Sequence, residues 1–262
     1  MRAEITQLDV SSRRRSLVGY SIGMALYALV IVSLYPAFKH STSQDNLVKT
    51  DSTAAALFGI SGKISSSGGW LNANIYLNFF PLIMLLMTVG YGAASLAGQD
   101  EDGTLCLLAA LPIRRTVIVL QKAGAMVLQA IVLAAVVAIY VIIGQSFDLA
   151  LTVGNVVAVS AAVLLMGLDF GVLTMAVGAL TGRRGTALGG GAALAAASYL
   201  VSSLALVVSW VHPARYVSLF YWSVGNDQIS RSVSLGDYAV MVVVGVCSLL
   251  ATVIAFRRLD VY

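Results

Sequence analysis

The chain offers few residues with which to do chemistry. A phosphate-cradling turn ends in Gly-Lys-Ser/Thr, and Gly62-Lys63-Ile64 has isoleucine where the hydroxyl belongs. Ser66-Ser67-Gly68-Gly69 has the outline of an ATPase signature loop without the flanking residues that complete one. A serine nucleophile in a Gly-x-Ser-x-Gly turn would need glycine at position 63 after Gly59-Ile60-Ser61-Gly62, and Lys63 stands there. His40 and His212 lie far in sequence from any acid pair, and Cys106 and Cys247 show no metal-ligand or disulfide spacing. These patterns argue against hydrolysis, nucleotide binding and metal chemistry in this chain, which is expected to bind no cofactor. Two acidic features remain: the run Asp100-Glu101-Asp102, and Asp169 inside a long apolar stretch.

The elements that hold those acids are membrane helices. Of 262 residues, 59% are hydrophobic and 11% charged, with a mean hydropathy of +0.89. A soluble domain carries roughly 25% charged residues. The excess of 16 Lys and Arg over 12 Asp and Glu is gathered in small clusters at the ends of apolar runs. That is a topology signal, and no nucleic-acid partner is expected. The 24 glycines suit a bundle in which small residues let helices approach closely.

Six runs reach the ~20 apolar residues needed to cross a bilayer: Leu17–Phe38, Tyr76–Gly98, Val117–Gly144, Val153–Leu180, Thr186–Trp210 and Tyr238–Phe256. The runs are continuous, which excludes the alternating pattern of an outer-membrane barrel. With the amino terminus inside, eleven basic residues fall on the inner side and five on the outer side, and Arg114-Arg115, Arg183-Arg184 and Arg257-Arg258 all lie inside. The expected fold is an all-α membrane protein with six transmembrane helices. It comprises a cytosolic interfacial segment (1–16), a transmembrane domain (17–256) with external segments at 39–75 and 211–237, and a cytosolic tail (257–262).

Between the second and third spans, residues 99–115 read QDEDGTLCLLAALPIRR. Asp100, Glu101 and Asp102 place negative charge where a helix amino terminus is expected, and Leu105, Leu108 and Leu111 recur at intervals of three. Pro112 ends the pattern and Arg114-Arg115 face an anionic inner surface. The spacing predicts a short amphipathic helix in the inner interface, either a plain connector or a handle for a cytosolic partner. Asp169 lies between Gly167 and Gly171. A charge at a helix centre costs on the order of 2.5–3.5 kcal/mol on insertion scales, so it is expected to face the bundle interior, a partner or water. It is a candidate translocation-path residue, or else a protonated or paired group that holds helices together.

Glu101, Gly103, Thr104, Leu105, Leu107, Leu108, Leu111, Pro112 and Arg115 together resemble the cytosolic signature of permease subunits of type 2 ATP-binding-cassette exporters. In that signature an acidic run and Gly-Thr-Leu lead through leucines to a proline and an arginine. The arginine-rich start, Leu34-Tyr35-Pro36, Phe58-Gly59-Ile60, Gly69 and Pro81 resemble the same family over nearly the whole chain. Cys106 departs from it, standing where an acid is common. The resemblance implies that Glu101, Asp102, Gly103, Thr104, Leu105, Leu108, Pro112 and Arg115 form a coupling element pushed by separate cytosolic ATPase subunits, which carry ATP and Mg. It further implies a second permease copy or paralogue, a bacterial plasma membrane with both termini cytosolic, and export of a drug, antibiotic, lipid or glycan. A polytopic sensor or anchor that moves nothing is the alternative. A secondary transporter would need more intramembrane ionisable groups than Asp169.

Overall fold

The structure, a computed structural model, describes residues 4–39, 66–104, 114–205, 208, 211–225, 228–231 and 233–258. Among them are six helices long and apolar enough to cross a membrane and no strand. In chain order the helices are α1 (Glu4–Phe38), α2 (Ser67–Glu101), α3 (Arg115–Ile143), α4 (Val153–Thr181), α5 (Arg184–Leu204), the short α6 (Leu219–Ser223) and α7 (Gln228–Arg231), and α8 (Leu235–Arg258).

Helix α4 is the axis of the bundle, touching α2, α3, α5 and α8, while α1 packs along α3. Small residues make this possible. A side chain on Gly92 of α2 would meet the Gly171 carbonyl and come within 3.1 Å of the Thr174 Cβ. One on Gly171 would come within 3.0 Å of the Thr88 Cβ, and one on Gly178 within 3.3 Å of Ala97. The Gly167/Gly171 spacing thus marks the face of α4 that packs on α2 and α3, where close backbone approach replaces the hydrophobic drive that lipid does not supply. In α1, Met24, Ala28, Val32 and Tyr35 are buried at helical spacing. Val18, Ile22, Leu26 and Val30 on its other faces are exposed, as lipid-facing residues would be.

Three segments differ from the sequence expectation. The interfacial element expected before Leu17 is the first part of α1, one uninterrupted helix from Glu4. Of the external segment 39–75, residues 40–65 lie outside the described residues. Ser67 onward already belongs to α2, with Trp70, Leu71 and Ile75 buried. Ser66 opens that helix by accepting from the Gly69 amide at 3.1 Å, a structural use for the Ser-Ser-Gly-Gly string. Asn72–Phe79 then winds as a wide π turn, ahead of Pro81, which cannot donate to the carbonyl one turn back and crowds it. Finally, the segment 211–237, expected as an external loop, packs into the bundle: Leu219, Phe220, Val224 and Ile229 are buried. Phe220 sits 5.3 Å from the Tyr199 ring and 6.2 Å from Phe170.

At the end opposite the termini, Lys39 pairs with Asp148 at 2.8 Å, joining α1 to the turn after α3. The ammonium holds the Asp148 carboxyl below its usual range.

Gly92→Ala should force α2 from α4 and destabilise the detergent-solubilised protein by roughly 1–3 kcal/mol, a melting-temperature drop of several degrees. Gly19→Ala, whose added methyl meets no described atom within 4 Å, should leave it unchanged. Equal thermal unfolding of the two variants would contradict this packing.

Candidate functional site

The acidic run closes α2, and the helix expected after it falls on residues outside those described. Asp100 and Glu101 form the last turn of α2, and Gly103 stops the helix with φ at +67°, a left-handed conformation in which a side chain would be strained. The Asp102 amide bonds the Gly98 carbonyl and the Gly103 amide the Asp100 carbonyl, each at 3.0 Å. Thr104 Oγ1 donates to the Gln99 carbonyl at 3.2 Å. Leu105, Leu108 and Pro112, with the amphipathic helix expected there, lie outside the described residues.

Glu101 nevertheless serves a helix amino terminus, one brought to it through space. Its Oε1 accepts from the backbone amide of Arg184 at 2.9 Å, the first residue of α5, whose own cap residue Arg183 provides no side-chain acceptor. The carboxylate satisfies an orphan amide and faces the positive end of the helix dipole. The close fit extends to Gly98, where a side chain would come within 3.2 Å of the Arg184 Cδ.

Arg115 mirrors this at the start of α3. Its Nη1 donates to the Phe256 carbonyl at 3.1 Å, and its guanidinium lies 5.8 Å over the Phe256 ring, so a cation sits on the negative end of α8. The segment expected to couple is therefore anchored on both sides, an acid on the start of α5 and a base on the end of α8.

Above the Glu101 contact, α2 and α5 part to form a cleft of about 410 Å³. Leucines of α2 such as Leu82 and Leu86 and small residues of α5 such as Ala192 and Ala196 line it. Its polar groups are Asn78 and Tyr199, whose hydroxyl donates to Asn78 Oδ1 at 3.4 Å. From Leu188 to Tyr199 the α5 wall covers roughly 16 Å of membrane depth. Phe220 also lines the cleft, beside Tyr199. The Ser198 side chain holds that segment in place, bonding the Ser218 hydroxyl at 3.0 Å and the Leu219 amide at 3.1 Å.

Asp169 does not line this cleft. It is 2% exposed, packed against Gly245 of α8, where a side chain would come within 2.6 Å of Oδ1. Its Oδ2 has no hydrogen-bond partner among the described residues. His212 lies at the far end, its Nε2 2.8 Å from Arg215 Nη1. Arg215 also donates to the Tyr216 hydroxyl at 2.9 Å and holds that phenol below its usual range. His40, Lys63 and Cys106 lie outside the described residues.

Sequence reasoning missed the partners: the Arg184 amide, the Phe256 carbonyl and the cleft walls Asn78 and Tyr199. It also missed Lys122, although a lysine within the apolar run Val117–Gly144 was a signal to be seen.

The described residues thus form a multi-pass helical bundle with arginines gathered at one end, where α2 and α3 are tied to α5 and α8. The sequence profile described as ABC-2 family transporter protein matches residues 3–259, and the chain belongs to that family of membrane subunits of ATP-binding-cassette transporters. Such subunits are normally non-catalytic and associate with an ATP-binding-cassette subunit. No curated protein matches the chain in sequence.

Glu101→Ala should expose the amides at the start of α5, accelerating their hydrogen exchange by about five-fold, in line with the ~1 kcal/mol of a lost cap. Glu101→Gln, which keeps an acceptor, should show a smaller effect. Unchanged exchange at residues 184–187 in Glu101→Ala would contradict the capping role.

Proposed function

We propose that this chain is the membrane-spanning subunit of an ATP-driven exporter of amphiphilic or hydrophobic molecules in a bacterial plasma membrane. Separate cytosolic ATPases, binding ATP and Mg, press on residues 99–115, and the cleft between α2 and α5 receives the substrate. Two permease chains, identical or paralogous, alternate between inward and outward access.

The observation that carries the reading is the Glu101–Arg184 contact. It joins the ends of the two cleft walls at the segment where the partner is expected to act, so a push there displaces both walls. A ligand-driven partner can shift a membrane equilibrium only by interacting differently with its two states, and a firmly seated lever is one way to meet that condition. The leucine, alanine and phenylalanine lining favours apolar cargo with few polar groups. Orientation is supported by charge: Arg13, Arg14, Arg15, Arg114, Arg115, Arg183 and Arg184 gather at the end that bears the termini, which fits a cytosolic side. In this reading Asp169, buried between α4 and α8, is a packing group and not a wall of the path.

The test is ATP hydrolysis by the permease and the ATPase encoded beside it, reconstituted in nanodiscs and challenged with a panel of amphiphilic drugs and lipids. Several-fold stimulation by at least one compound is expected, with Ala192→Trp abolishing it while the ATPase still co-purifies. Full stimulation in Ala192→Trp would remove the cleft from the path. Failure of the native chain to bind any ATPase would favour the anchoring or sensing alternative.

A further inference from the structure

Lys122 lies on α3, seven residues and about two turns beyond Arg115, and is fully buried. Its Nζ donates to Gln99 Oε1 of α2 at 2.6 Å and lies 3.5 Å from Asp9 Oδ2 of α1. The same Asp9 oxygen accepts from the Tyr91 hydroxyl of α2 at 2.6 Å, and the Arg13 guanidinium lies 4.8 Å over the Tyr91 ring. One residue from Lys122, Gln121 holds the start of α1 twice: its Oε1 accepts from the Ile5 amide at 3.1 Å, its carbonyl from Thr6 Oγ1 at 2.9 Å. Beside this junction is a polar cavity of about 250 Å³ bordered by Asp9, Arg13, Gln99, Asp102, Thr104 and Arg184. The junction therefore joins α1, α2 and α3 directly behind the two anchored ends of the 99–115 segment.

A buried ion pair is poor evidence for added stability, since well-packed apolar side chains often do as well; its best-attested use is to fix register. That fits the geometry here. Leucine or methionine at position 122 would fill the space, but only a group with several donors can bridge a carboxylate on one helix and an amide on another. The partners are also specific in place: Gln99 stands two residues before Glu101, and Asp9 stands on the arm of α1 that precedes the membrane.

We propose that Lys122 is a positioning residue for energy coupling. With Asp9 and Gln99 it locks the terminal arm of α1, residues 4–15, to the helices that enter and leave the coupling segment, so that the arm moves with that segment as one unit. The proposal rests on the exporter reading above, because it presumes a partner that pushes.

The experiment follows the push to the cleft without needing to know the substrate. In a background with Cys106→Ser and Cys247→Ser, Leu188→Cys places one thiol at the exposed cleft wall, and its rate of labelling by a polar maleimide is measured in the reconstituted permease–ATPase complex with and without ATP and Mg. In the otherwise native chain ATP should change that rate several-fold. Lys122→Met and Asp9→Asn should each reduce the change to less than about two-fold, with ATPase co-purification and basal hydrolysis preserved. The double variant should be no worse than either single one, because both act through one lock, and Lys122→Arg should restore part of the response. A native-sized ATP response in Lys122→Met would overturn the positioning role. Should Lys122→Met fail to assemble, Asp9→Asn, of unchanged shape, carries the same test, and a native-sized response there overturns the proposal equally. Absence of any ATP effect in the native chain would instead count against the exporter reading.

Discussion

The architecture depends on charges placed at helix ends. A helix leaves its first amides and last carbonyls without partners, and in or near a membrane those groups cannot all turn to water. Here the end of α2 and the start of α3 supply what two other helices lack: Glu101 takes the first amide of α5, and Arg115 takes a terminal carbonyl of α8. Each contact lowers the cost of a helix end, and each also fixes one end of the 99–115 segment to a helix remote in sequence. A segment whose two ends are held in this way can transmit a displacement that a free one would absorb.

What is displaced follows from the packing around α4. Glycine and threonine bring α2 and α4 into backbone contact, leaving little freedom for α2 to slide. On its other side α2 faces α5 across a cleft lined with leucine and alanine, where separation breaks few specific contacts. A tight backbone contact and an open cleft thus share one helix, and that helix ends in Gln99 and Glu101. The buried contacts of Lys122 add α1 to the same end. The membrane family to which the chain belongs associates with an ATP-binding-cassette subunit, and in the function proposed above that partner provides the energy.

Much of this was legible in the sequence. Six continuous apolar runs predict the six membrane helices, and the spacing of Gly167 and Gly171 marks a packing face because three and four residues bring side chains to one side of a helix. The reading of Asp100 to Asp102 as acids at a helix start rests on the rule that acids favour amino termini, and the helix expected after them lies outside the described residues. The structure satisfies that rule through Glu101 and α5, an element some eighty positions away, and no local pattern reports a contact between remote segments. Helix α2 begins earlier than expected because Asn72 and Asn74 look like loop residues, whereas Asn74 donates to the Trp70 carbonyl, as Asn78 does to that of Ala73, inside the π turn. The insertion of Leu219 and Phe220 was hidden for a different reason. Their apolar run is too short to stand out among aromatics that an interfacial belt would also place there.

The claim most open to direct test is that the ends of α2 and α5 move together because Glu101 joins them. Spin labels at Asp102→Cys and Gly185→Cys, in the chain freed of its two native cysteines, report the separation of those ends by pulsed electron resonance in the permease–ATPase complex. The account predicts one narrow distance that ATP leaves unchanged, and a broadened, ATP-sensitive distribution when Glu101→Ala is added. An ATP-driven change of that distance with Glu101 intact would contradict it.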